Sequence, residues 1–196
     1  MNTYQDLMQM RHGIYRGNEA NGFWKDGFNR NYAEALMLVV SEFSEALEAD
    51  RHNRRVSNSG VDGEQAYYLS CGQLDDSWST NFKDHIKDTV EDELADATIR
   101  LLDIIQGYGI QVIDNPYFGI TEATMLKPLW TGNFAENMFT LCKQVHNAYN
   151  HPVLLNFVVA NLADYCFAHK IDLLNHVVWK VRYNLTRGKM HGGKLY

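Results

Sequence analysis

Apolar side chains recur every three to four residues along most of this chain, whereas strict alternation of apolar and polar residues is scarce. The first pattern places apolar groups on one face of an α-helix, and alternation is typical of a strand. Only three prolines interrupt the pattern. This pattern predicts an all-α fold. Short connections between the later helices favour an antiparallel helical bundle. The length predicts one domain over residues 1–196.

The spacing predicts helices at about residues 3–17, 32–51, 83–106, 133–149, 153–168 and 172–187. The helix at 83–106 has an apolar stripe that runs from Ile86 to Ile105. Residues from about 52 to 82 and from about 110 to 132 lack such a stripe, and the first of these segments is rich in Asn, Asp and Gly. We therefore predict two irregular insertions.

Composition narrows the class of protein. No apolar run approaches the roughly 20 residues of a membrane-spanning helix, and the first residues do not resemble a signal peptide, so we expect a cytoplasmic protein with no membrane partner. The three cysteines have no metal-binding or redox spacing, which fits a reducing compartment. The formal net charge of −6 provides no positive field for nucleic acid.

Two acidic pairs lie on the predicted helices at 32–51 and 83–106. Glu42 and Glu45 are three residues apart, as are Glu93 and Asp96, so each pair occupies one helix face at the edge of an apolar stripe. If the helices pack antiparallel, the pairs face one another. Four carboxylates held that close repel unless cations or protons neutralise them. Oxygen ligands without thiolate or imidazole suit Mg²⁺ or Mn²⁺.

Two other interpretations of these acids are a solvated helix face, which stays open, and a di-iron bundle, which the sequence disfavours. Either pair alone is more often a solvated helix face than a metal site, because acids at this spacing are common on surface helices. A di-iron bundle needs a Glu-x-x-His motif on two helices, and no glutamate here is followed by histidine at that distance.

Three stretches give the chain a family resemblance. They are the Glu-x-x-Glu of Glu42 and Glu45, the Glu-x-x-Asp of Glu93 and Asp96, and the segment 180–187 followed by His191 and Lys194. In this order on helices they resemble the MazG-like all-α nucleoside triphosphate pyrophosphatases, a superfamily that includes dimeric dUTPase-like and dCTP pyrophosphatase proteins.

The resemblance implies an enzyme. It implies Mg²⁺-dependent hydrolysis of a (d)NTP between the α and β phosphates, with the four acids as metal ligands and catalytic groups. It also implies a homodimer or homotetramer. Phosphate-binding residues would lie on the last helix, and aromatic residues before the first acidic helix would stack on the base. The residues matching these roles are Lys180, Asn184 and Arg187 for phosphate, and Phe23 and Trp24 for the base.

Two functions from other classes compete with this hypothesis. A non-catalytic nucleotide-binding or regulatory module on the same scaffold would be stabilised by nucleotide without turnover. A metal-linked helical assembly would dissociate when the metal is chelated and would not respond to nucleotide.

Overall fold

The computed structural model describes residues 3–24, 30–117 and 128–187. Its regular structure there consists of eight α-helices and two short 3₁₀ turns, with no strand, which confirms the all-α class. No helix in these ranges is long and apolar enough to cross a membrane. The helices are α1 (Thr3–Ala20), α2 (Tyr32–Arg51), α3 (Gly63–Cys71), α4 (Asp76–His85), α5 (Val90–Gly107), α6 (Phe134–Ala148), α7 (Leu155–Ala168) and α8 (Leu173–Thr186).

Helix α5 lies at the centre of the fold and contacts α1, α2, α7 and α8. Its neighbour α2 runs antiparallel to it. At one end, the rings of Tyr32 and Tyr108 lie 5.1 Å apart. At the other end, the backbone N–H of Val56 donates to the Glu91 carboxylate at 3.0 Å, and that of Val90 donates to the carbonyl of Arg54 at 3.0 Å. The acidic stretches of the two helices are therefore adjacent.

Local capping defines where α5 begins and ends. The Thr89 hydroxyl accepts the backbone N–H of Asp92 at 3.2 Å, as an N-cap does. At the other end Gly109 has φ +63°, and the N–H of Ile110 returns to the carbonyl of Ile105. This is a Schellman termination, in which glycine relieves the steric penalty of the left-handed conformation.

The prediction of irregular structure over residues 52–82 is wrong, because helices α3 and α4 occupy much of this segment. The prediction of a helix starting at about 83 is also wrong, since α4 ends at His85 and α5 starts at Val90. These short helices bury only one or two residues each, so they leave no apolar stripe in the sequence. Together with α8 they enclose a second hydrophobic cluster, separate from the main core, formed by Leu69, Trp78, Phe82, Ile86, Trp179 and Tyr183.

The other boundaries agree with prediction to within a few residues. Helix α1 continues past Gly17 to Ala20, and α7 is preceded by a 3₁₀ turn over Pro152–Leu154. The described parts of the second predicted insertion, 110–117 and 128–132, contain neither helix nor strand, as expected. Its central part, 118–127, lies outside the described residues.

The second hydrophobic cluster provides a stability prediction. Trp78 has no exposed surface, so we expect Trp78→Ala to lower the free energy of unfolding by about 3–5 kcal/mol. Tyr67→Ala on the same α3–α4 hairpin is the control; its side chain is 71% exposed, and a change within about 0.5 kcal/mol is expected. Urea unfolding of both variants measures the difference, and equal stability would show that the hairpin contributes little.

Candidate active site

Three of the four predicted metal ligands converge between α2 and α5. One carboxylate oxygen each from Glu42, Glu45 and Glu93 lies within 4.8 Å of the other two. Glu42 and Glu93 are buried and Glu45 is exposed. Asp96 lines the same cavity, but Lys180 binds its carboxylate. Hard oxygen donors at these separations fit a Mg²⁺ or Mn²⁺ ion.

Burial and mutual repulsion favour the protonated forms of these acids. Burial, followed by the charges of Asp92 and Asp96, raises the pKa of Glu93 to about 9. Burial and Asp96 also raise the pKa of Glu42 to about 7, against the opposing effect of Arg100. Full ionisation of the cluster at neutral pH therefore requires additional positive charge.

Lys180 lines the cavity, but its ammonium group is engaged by two carboxylates. Its ammonium group is 2.8 Å from Oδ2 of Asp92 and 2.7 Å from Oδ2 of Asp96, and only 6% of its side chain is exposed. Burial by itself would lower the pKa of Lys180, but Asp96 and Asp92 outweigh that effect and raise it. Lys180 thus holds Asp96 in place beside the acidic cluster, with at most one N–H left for a ligand.

A second internal cation is Arg100, whose Nε donates to Oε1 of Glu42. Arg100 is one helical turn beyond Asp96 on α5, so it lies next to the acidic cluster. Asp92 and Arg100 contribute to the site without having been among its predicted members. Asp92, Asp96 and Arg100 follow one another at four-residue spacing, which was the available sequence signal.

The cluster opens into a cavity of about 540 Å³. The cavity follows the face of α5 from Glu93 to Asp103, a distance of about 15 Å at 1.5 Å per residue. One end is acidic and cationic, and it includes Lys87 and Asp88, which were not among the predicted site residues. The other end contains the side chains of Asn18, Phe23, Arg30, Leu38, Ile99 and Asp103.

The two residues predicted to bind a base occupy different positions. Phe23 lines the cavity, whereas Trp24 is buried behind its wall. The indole N–H of Trp24 donates to both oxygens of Asp103, at 3.0 and 3.1 Å. Gly107 is required here, because a Cβ at that position would lie 2.3 Å from the Trp24 ring.

Arg30 completes this end of the cavity. Its guanidinium lies 5.2 Å from the centre of the Trp24 ring and 3.3 Å from Oδ2 of Asp103. Burial raises the pKa of Asp103 to about 6, while hydrogen bonds from Asn18 and Trp24 oppose that shift. Asp103 is thus an internal acceptor that fixes the rings and cations around it.

All three predicted phosphate ligands near the end of the chain line the cavity, although Lys180 is already engaged by Asp92 and Asp96. Asn184 and Arg187 line the acidic and cationic end, and the Arg187 guanidinium lies 5.8 Å from the Tyr183 ring. Tyr183 itself stacks on Phe82 with ring centres 4.5 Å apart, in the second hydrophobic cluster. His191 and Lys194 lie outside the described residues.

Comparisons with protein-family models, with curated proteins and with solved structures found no match to this chain. The resemblance to MazG-like pyrophosphatases, which rests on the three stretches quoted above, therefore stays a prediction.

The buried acids predict how stability changes with pH once divalent cations are removed with EDTA. The pKa of Glu93 is about 9 in the folded chain, against about 4.3 when unfolded. Between pH 7 and 8 the folded chain therefore holds a proton that the unfolded chain has released. The free energy of unfolding should fall as pH rises, on the order of 1 kcal/mol per pH unit.

Glu93→Gln should remove most of this slope, because glutamine does not titrate. Glu48→Gln, at an exposed position on α2, should keep it. The choice of pH 7–8 avoids His176, whose pKa is lowered to about 4 by burial and whose contribution lies at lower pH. Urea unfolding at fixed pH values provides the measurement, and an unchanged slope in Glu93→Gln would contradict the assignment.

Proposed function

We propose that this chain is a Mg²⁺-dependent nucleoside triphosphate pyrophosphohydrolase, which converts a (d)NTP to a (d)NMP and pyrophosphate. The observation that carries the proposal is a single cavity with chemically different ends. Converging carboxylates and the side chains of Lys87, Asn184 and Arg187 lie at one end, and Phe23 lies at the other. A triphosphate needs cations and hydrogen-bond donors, while a base needs an aromatic face.

The proposed cation ligands are Glu42, Glu45, Glu93 and Asp96. Lys180 binds Oδ2 of Asp96, and we assign the other oxygen of that carboxylate to the cation. Bound Mg²⁺, or Mn²⁺ in its place, would supply positive charge to phosphate oxygens as negative charge builds up on the leaving group.

The reaction also needs a general base and hydrogen-bond donors to the phosphates, and both come from the chain itself. One of the four carboxylates accepts a proton from water, whose oxygen bonds to one phosphorus of the α–β anhydride. The bridging oxygen then leaves with the other phosphoryl group. In the described part of the chain, Arg100 uses only its Nε in the ion pair with Glu42, so its Nη nitrogens can donate to phosphate.

Assembly and location complete the proposal. Glu45 is exposed on α2, so a second copy of the chain could cover that side of the site in a homodimer or homotetramer. The three cysteines are unpaired, which suits a reducing cytoplasm.

The hydrolysis prediction is tested by measuring pyrophosphate release from each of the eight common NTPs and dNTPs with Mg²⁺. We expect release from at least one of them, and a loss of about 100-fold or more in Glu42→Gln and in Asp96→Asn. Mutation of a residue that only hydrogen-bonds to a metal ligand already lowers metal affinity or activity about 10–100-fold.

Glu48→Gln is the matched control, since Glu48 is exposed on the same helix and does not line the cavity. Activity in Glu42→Gln equal to that of this control would contradict the ligand assignment. Nucleotide-dependent thermal stabilisation without any release of pyrophosphate would support the non-catalytic alternative instead.

The proposed base contact makes a separate prediction. Stacking on an aromatic ring is worth about 1–3 kcal/mol, so Phe23→Ala should raise KM about tenfold or more with a smaller change in kcat. Phe23→Trp should retain most of the affinity, because it keeps an aromatic face. Phe139→Ala, at an exposed position on α6, is the control. A KM for Phe23→Ala that matches this control would remove Phe23 from the base site.

A further inference from the structure

A second group of carboxylates converges at the start of α5, beside the proposed Mg²⁺ ligands. One oxygen each from Asp88, Asp92 and Glu93 lies within 4.8 Å of the other two. Glu93 also belongs to the group with Glu42 and Glu45, so the two groups are adjacent and share one residue. We propose that Asp88, Asp92 and Glu93 form a second divalent-cation site.

Acids at the start of a helix also have a structural role. They interact favourably with the free N–H groups there. For Asp92 this explanation accounts for one oxygen: Oδ2 accepts the backbone N–H of Asp88 at 3.0 Å and the ammonium of Lys180 at 2.8 Å. The structural role of Asp92 thus accounts for the hydrogen bonds of Oδ2 and gives no role to Oδ1.

Oδ1 of Asp92 has no hydrogen-bond partner among the described residues and is inaccessible to solvent. The Asp92 side chain has no exposed surface. An acceptor left unpaired at such a position is destabilising, and more so when it is charged. Asp92 therefore contributes to the converging group a buried carboxylate that has one oxygen without a partner among the described residues.

The chemistry of the site selects the class of ligand. All three donors are carboxylates, and hard oxygen donors select Mg²⁺ or Mn²⁺ over softer metals. Lys87 binds Oδ1 of Asp88 at 2.6 Å, but both side chains are substantially exposed, so this ion pair is weak and can be displaced. Asp88 also lines the cavity, which provides the cation with a route in from solvent.

This inference concerns cation binding by the nucleotide-free protein, and it goes beyond the proposed hydrolysis. The full chain is titrated with Mn²⁺ alone, and free Mn²⁺ is followed by electron paramagnetic resonance. We expect two Mn²⁺ ions per chain in the wild type. Asp88→Asn should lose one of the two, or weaken it about tenfold or more, while Glu45→Gln should weaken the other.

Asp88→Asn suits the test because it removes charge without disturbing the fold. Asp88 has φ +61°, and asparagine tolerates the left-handed region as well as aspartate does. The exposed Asp84 on α4 supplies the control, and Asp84→Asn should retain both ions. Circular dichroism of each variant checks that it is folded.

Two results would overturn the second site: one bound Mn²⁺ whose affinity is unchanged in Asp88→Asn, or two bound ions that Asp88→Asn retains with wild-type affinity. Both are measured without nucleotide, so they are independent of pyrophosphate release. Two-ion binding in a chain that releases no pyrophosphate would support the site and contradict the proposed enzyme. Pyrophosphate release by a chain whose Mn²⁺ binding is unaffected by Asp88→Asn would do the reverse.

Discussion

The ion pairs of Lys180 with Asp92 and Asp96 are the interactions on which the arrangement of the helices depends. The first turn of α5 is buried although it carries three successive acids, Glu91, Asp92 and Glu93. Buried charges cost several kcal/mol each unless partners of good geometry surround them. Helix α8 supplies the ammonium for Asp92, and the segment after α2 supplies the N–H of Val56 for Glu91. The acids of α5 therefore restrict where α2 and α8 can pack.

The α3–α4 hairpin holds α8 in the orientation that this ion pair needs. Phe82 stacks on Tyr183, and the Trp179 indole donates to the hydroxyl of Ser70 at 2.9 Å. The ammonium of Lys180 lies 5.8 Å from the centre of the Phe82 ring. The apolar cluster thus lies against the ammonium of Lys180 and helps to fix its position, which connects packing outside the cavity to the geometry of the acids in it.

At the opposite end of the cavity, a buried acid organises aromatic and cationic groups in the same way. Asp103 accepts the Trp24 indole N–H and pairs with Arg30. The close approach of Trp24 to Gly107 keeps the indole behind the wall, while Phe23 reaches the cavity. Both ends of the site therefore follow one physical rule: a carboxylate removed from water is stabilised by groups that at the same time shape the cavity.

Local sequence patterns were enough to predict the helical class, most helix ends and the one-face spacing of the acidic pairs, because periodicity and capping act over only a few residues. The N-cap at Thr89 could also be predicted from its position three residues before Asp92. The apolar stripe starts before Thr89, however, and therefore suggested an earlier helix start. Three features could be seen only in the folded chain: Lys180 pairs with Asp92, Trp24 is buried, and α3 and α4 pack on α8. Lys180 and Asp92 are separated by 88 positions along the chain. Packing across such a separation selects partners by shape and charge, and no local pattern records that choice.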